Sequence, residues 1–246
     1  MFYFRKLLLN IYFWPTFFLF TVFSLVVLPL LLAINFLTDR KPRTQFLRLL
    51  IRIHGLIIVK YIPFMAPVSI EDRSGGIKTP VIFTANHCSS VDPYLFGMLP
   101  FENAFITSWP FKIPVFGKIM RMAEYICTDD GWQSINKQSE KLMEKGCSII
   151  VWPEGHRSRD GKLHRFKKGA FQLAYETKRK VVPVCIIGTY KLLPPGKRLL
   201  TPSRIKIIIL PPIAPGYNKE DNDEITLLRD KAREVISDEY KRCISN

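Results

Sequence analysis

A histidine and an aspartate stand five residues apart in Asn86-His87-Cys88-Ser89-Ser90-Val91-Asp92, where the chain leaves the apolar run VIFTAN (81–86). No straight strand or helix puts side chains at that spacing on one face. A tight strand-to-helix turn does. The carboxylate then curls back to one ring nitrogen, fixes the tautomer and leaves the other nitrogen as a base. Such a pair would take the proton from a substrate hydroxyl. The spacing also suits plain capping, with Asp92 as N-cap of a helix opened by Pro93 and His87 as a satisfied strand-end residue. The two roles are compatible.

A second segment, Trp152-Pro153-Glu154-Gly155-His156-Arg157-Ser158-Arg159, follows the apolar run SIIVW (148–152). Residues 155–169 hold six Lys/Arg against one Asp. Glycine admits close backbone approach and arginine grips phosphate bidentately. Open α/β sheets bind ligands beyond the C-terminal ends of their strands. A solvated basic loop is the plainer reading, but its position directly after a buried strand argues for an anion site. A third segment, Phe111-Lys112-Ile113-Pro114-Val115-Phe116-Gly117-Lys118, mixes aromatics with lysine and glycine, as a lip around an acyl chain or simply as core. Val182-Pro183-Val184 opens a further strand, where proline fits an edge or entry position. His156 and His164 read as phosphate contacts or solvated residues. Cys88 neighbours His87 but points to the other side of an extended chain, which argues against a thiol nucleophile.

The elements that must position these residues alternate. VIFTAN (81–86), AFIT (104–107), SIIVW (148–152), VVPVCIIGTY (181–190) and IKIIIL (205–210) read as strands buried on both faces. Helical patterns fall at 92–99, 116–122, 133–145, 168–178 and 223–243. The fold class is α/β, a mostly parallel or mixed sheet flanked by helices, preceded by an N-terminal two-helix membrane anchor. The anchor is assigned to residues 1–62 and the α/β domain to 63–246.

Residues 11–37 carry no charge, and as a helix they measure about 40 Å, enough to span a bilayer core with tilt. The run is too long for the apolar core of a signal peptide, and Pro29 predicts a kink. Residues 45–62 form an amphipathic pattern, with Phe46, Leu49, Leu50, Ile53, Leu56 and Ile57 on one face and Arg48, Arg52 and Lys60 turned to headgroups. His54 reads as headgroup-facing. A spanning helix followed by an interfacial one, and a hairpin inserted in one leaflet, both satisfy this pattern. Either keeps the body at the cytoplasmic face of the membrane.

Composition bounds the function. The 246 residues are 48% apolar, which excludes a disordered chain, and 36 Lys/Arg against 21 Asp/Glu call for an anionic partner. Five scattered cysteines form no disulfide framework and no zinc-spaced cluster, so neither a disulfide nor a metal is expected. Distributed basic stripes and nucleic-acid modules are missing, so no nucleic-acid partner is expected. The chain has no G-x-S-x-G arrangement of a lipid hydrolase.

Together, NHCSSVD, WPEGHRS, KIPVFG and VPV resemble the 1-acylglycerol-3-phosphate acyltransferase family, whose patterns are N-H-x4-D and F-P-E-G-T-R-S. The resemblance covers about residues 81–190. It implies transfer of a fatty acyl group from an acyl thioester to the sn-2 hydroxyl of 1-acylglycerol-3-phosphate, giving phosphatidic acid. It makes His87 the general base, oriented by Asp92. Glu154, Gly155, Arg157 and Ser158 would bind the acceptor, while Lys112, Pro114 and Gly117 would serve the acyl side. No cofactor is implied; acyl-coenzyme A or acyl carrier protein brings the acyl group, and the membrane brings the lysolipid. His156 stands for the usual threonine, Trp152 for phenylalanine, and Thr107-Ser108-Trp109 where a lysine is often found. The departures at His156 and at Thr107-Ser108-Trp109 bear on the acceptor, so another lysolipid is the alternative. A non-catalytic lipid-binding protein is the rival outside enzymology.

Overall fold

The computed structural model describes residues 1–246 except Pro63, Met65, Asn218, Lys219 and Asn246 and the side chain of Ser245. Two helices come first, α1 (Phe2–Thr38) and α2 (Arg43–Tyr61). Then follow β1 (Val68–Asp72), β2 (Ile82–Ala85), the short α3 (Asp92–Leu95), β3 (Asn103–Thr107), α4 (Pro114–Met122), β4 (Ile126–Cys127) and α5 (Trp132–Glu144). The chain closes with β5 (Ser148–Val151), α6 (Gly169–Glu176), β6 (Val181–Ile187), the one-turn α7 (Thr189–Leu192), β7 (Ile205–Ile209) and α8 (Asp221–Ser245).

The strands form one seven-stranded mixed sheet in the order β1-β7-β6-β2-β5-β3-β4. Strands β6, β2, β5, β3 and β4 run parallel; β7 is antiparallel to β6, and β1 is parallel to β7. The apolar runs are sandwiched as expected. Successive residues point to opposite faces, so Phe83 joins a cluster with Val182, Ile186 and Ile207, while Ile82 joins one with Ile149, Val181 and Cys185. Two strands had no such run. β4 is two residues long, and β1 is a half-exposed edge whose Glu71 pairs with Arg73 and with Lys206.

Several expectations change. Pro183 sits inside the sheet, not at an edge, since β6 lies between β7 and β2. Its carbonyl accepts Leu210 N–H at 2.9 Å, one residue before the registered β6–β7 pairing begins at Val184. Arg48 is not turned to headgroups. It is fully buried, with Nε on Glu102 at 2.7 Å and Nη1 on the Ala123 carbonyl at 2.9 Å. A buried guanidinium requires such partners, and these tie α2 to the start of β3 and the turn after α4. His54 stacks on Phe20 of α1 at 5.1 Å, facing the other helix.

The boundary drawn between 62 and 63 abuts Pro63, which lies outside the described residues. The boundary does not separate two cores: Leu9, Phe13, Ile58, Val59 and Ile62 share one cluster with Phe83, Val182 and Ile207. Asn10 adds a polar tie, donating to Leu200 O at 2.9 Å and accepting Leu200 N–H at 2.8 Å.

Candidate active site

Parallel strands β6, β2 and β5 lie side by side, so the segments leaving their C-terminal ends meet at one edge of the sheet. β2 delivers residues 86–92, β5 delivers 152–158, and β6 delivers Gly188. Asn86 is buried and continues the pairing of β2 with β6 by its side chain. Its Oδ1 accepts Ile186 N–H at 2.7 Å and its Nδ2 donates to Ile186 O at 2.8 Å. The strand is thereby held to its last residue before the turn.

The turn then curls as the spacing predicts. Asp92 Oδ2 lies 2.8 Å from His87 Nδ1. The same oxygen accepts the N–H groups of Cys88 and Ser89, each at 2.8 Å. These bonds run back to the preceding turn, so Asp92 is not a conventional N-cap: it is the first residue of α3 and organises the turn before it. No described group bonds to His87 Nε2, and the side chain is 16% exposed. With Nδ1–H directed to the carboxylate, Nε2 carries the free lone pair.

The turn after β5 holds His87 from behind. Glu154 Oε1 accepts His87 N–H at 2.8 Å, and Glu154 Oε2 accepts His164 N–H at 3.0 Å. Burial pushes the Glu154 carboxyl above its ordinary pKa, and these two N–H groups oppose the rise. Ser158 N–H donates to the His87 carbonyl at 2.7 Å, and its buried hydroxyl donates to Asp160 Oδ1 at 2.9 Å. Glu154 and Ser158 thus bond to the site's backbone and its loop.

Gly155 has φ +78°, and Lys167 Nζ lies 2.6 Å from where a Cβ would be, so the position requires glycine. Arg157 is exposed beside it, and no described acid pairs with it. His156 is exposed as well, whereas His164 Nε2 is engaged by Asp160 Oδ1 at 2.9 Å. Lys112 is mostly exposed in the turn before α4, 3.8 Å from Asp129. Gly117 packs on the backbone of Phe111, whose carbonyl a Cβ at this position would meet.

Two features escaped the sequence reading. Trp152 stacks on the His87 ring with centroids 4.9 Å apart, and the Ser158 N–H completes a two-sided hold on the His87 backbone. Both link segments more than sixty residues apart, so no local spacing announces them. Cys88 is buried, and burial with the nearby Asp92 and Glu154 charges pushes its thiol up to about 12, which leaves it unsuited to nucleophilic attack.

The histidine–carboxylate pair and the basic loop thus meet at one strand edge of an α/β sheet. The chain belongs to the acyltransferase family, whose sequence model matches residues 60–187. It is 36% identical over 166 residues to the chloroplastic 1-acyl-sn-glycerol-3-phosphate acyltransferase of Brassica napus, covering 65% of this chain and 46% of that one. It is 36% identical over 141 residues to the chloroplastic enzyme of that name from Arabidopsis thaliana, covering 55% and 40%. The matches thus span less than half the length of these two plant relatives. The crystal structure of the 1-acyl-sn-glycerophosphate acyltransferase of Thermotoga maritima superposes with a TM-score of 0.79 at 27% identity, covering 100% of this chain and 99% of that one.

Proposed function

We propose that this chain transfers a fatty acyl group from an acyl thioester to the sn-2 hydroxyl of 1-acylglycerol-3-phosphate, giving phosphatidic acid. The observation that carries the reading is the 2.8 Å contact of His87 Nδ1 with Asp92 Oδ2, which leaves Nε2 open at the strand edge beside Arg157. Nε2 removes the proton of the acceptor hydroxyl as its oxygen attacks the thioester carbonyl. The resulting imidazolium is stabilised by Asp92. It returns the proton to the departing thiolate as the tetrahedral centre collapses to ester and free thiol. General base catalysis of this kind contributes about 10²–10⁴-fold, and holding the two substrates together contributes further. Arg157 binds the acceptor phosphate. No cofactor enters the scheme; coenzyme A or acyl carrier protein is the thiol carrier.

The chain works at a membrane surface, with its body on the cytoplasmic side. α1 is long and apolar enough to cross a membrane. The single-leaflet alternative fits its packing better. Asn10 is bound to Leu200 near one end, and Leu28 and Leu32 pack on the second core cluster near the other. Those contacts lie about 33 Å apart along the helix, so α1 lies along the body, with Phe18, Leu19, Val22, Phe23 and Val26 facing outward.

The test is a transfer assay in mixed micelles with labelled acyl-coenzyme A, acyl carrier protein thioesters and a panel of lysolipids, with His87→Ala as control. Labelled phosphatidic acid that vanishes in the variant supports the proposal. Transfer only to another lysolipid keeps the chemistry and moves the acceptor, as the exposed His156 in place of threonine would explain. No transfer from either thioester overturns the reading in favour of lipid binding.

A further inference from the structure

The indole of Trp152 is 8% exposed and stacked among rings. Its centroid lies 4.9 Å from that of His87 with the planes 30° apart, 5.9 Å from Phe96 edge-to-face, and 5.4 Å from Phe105. Its Nε1–H is buried and bonds to no described group. A buried indole normally finds a partner for that donor. Here a hydrogen bond has been forgone, and what the side chain offers is a π face laid against the imidazole. A neutral ring gains packing from that face, whereas an imidazolium gains electrostatic attraction as well.

We infer that Trp152 is a positioning residue for His87: its indole fixes the plane of the imidazole against Asp92 and favours the protonated ring over the neutral one. The catalytic consequence rests on the general-base reading above; the stack itself does not. The titratable groups around His87 among the described residues include Asp92 from α3, Glu154 from the turn after β5, the adjacent Cys88, His164 through the shared Glu154, and Tyr240 of α8 through Cys88 and Glu154. All remain in place when only residue 152 changes, so differences among its variants report the indole.

The first arm uses a chain in which Trp14, Trp109 and Trp132 are replaced by Phe, leaving Trp152 as the sole indole. A stacked imidazolium quenches indole emission, so emission falls as the pH drops through the titration of His87, and His87→Gln removes the step. The second arm compares Trp152→Phe, which keeps a π face, with Trp152→Leu, which does not. Trp152→Leu is expected to lose about 10-fold or more in kcat with little change in either KM. Its acid limb of kcat moves down by roughly half a pH unit or more, with Trp152→Phe nearer the parent. Emission that is flat with pH, or a step that survives His87→Gln, overturns the inference. So do equal losses in the two variants with an unmoved acid limb. An emission step in a chain that performs no transfer keeps the stack and overturns only the reaction reading.

Discussion

Glu154 holds the main-chain N–H of His87 at 2.8 Å, 67 positions away in the chain, so the acidic residue of the second motif meets the first motif at its backbone. A buried carboxylate that satisfies two N–H groups from two loops acts as a strut. Glu154→Gln can accept only one of those bonds and turns a donor on the other. It is expected to destabilise the fold by about 1–3 kcal/mol, and to lower kcat more than it raises the acceptor KM. Thermal unfolding and steady-state kinetics check this; a pure KM effect would return Glu154 to the substrate.

His87→Ala removes the proposed base and should reduce transfer by at least about 10²-fold while vesicle binding persists. Asp92→Asn keeps the shape of the turn but presents the wrong partner to Nδ1, so its loss should fall on kcat. Near-normal activity in His87→Ala would end the general-base role.

Arg157 is exposed and pairs with no described acid, so its replacement is expected to leave the fold alone. Arg157→Ala should raise the KM for the phosphate-bearing acceptor, with kcat changed little. Equal losses in kcat and kcat/KM with KM constant would place its contact in the transition state instead.

Gly117→Ala forces a methyl group onto the Phe111 carbonyl, and backbone cannot swing aside as a side chain does. Overpacking of this kind costs about 1–3 kcal/mol, so the melting temperature should drop whichever acyl chain is offered. An unchanged melting temperature with altered chain-length preference would make Gly117 a pocket residue after all.

Glu71 and Asp160 set a pH dependence of stability. Arg73 and Lys206 hold Glu71 down to about 2, and the Lys162 N–H, Ser158 and His164 hold Asp160 at about 2. Folded values below unfolded ones mean that their stabilisation is fully present above about pH 4.5 and is lost as pH falls toward 2. Glu71→Gln with Asp160→Asn should flatten the fall in melting temperature across that window. A fall as steep as in the parent would assign the acid sensitivity elsewhere.

How much of this was legible in the sequence follows the distance over which each contact acts. His87 and Asp92 lie in one turn, so their spacing alone predicts the curl that Asp92 makes. Arg48 looked like a headgroup contact because its helix is locally amphipathic, but its carboxylate partners are 54 and 76 residues away. The strands that are buried on both faces read directly as apolar runs. β1 did not, since an edge strand needs only one covered face, and Glu71 and Asp72 break the pattern.

The pairing of Asn10 with Leu200 joins residues 190 positions apart. It sets an order of events during synthesis. The surface that receives Leu9 and Phe13 includes Ile205 and Ile207, which are made almost two hundred residues later. Until then the apolar face of α1 has no folded partner, and this part of the core closes only when β7 arrives to cover it.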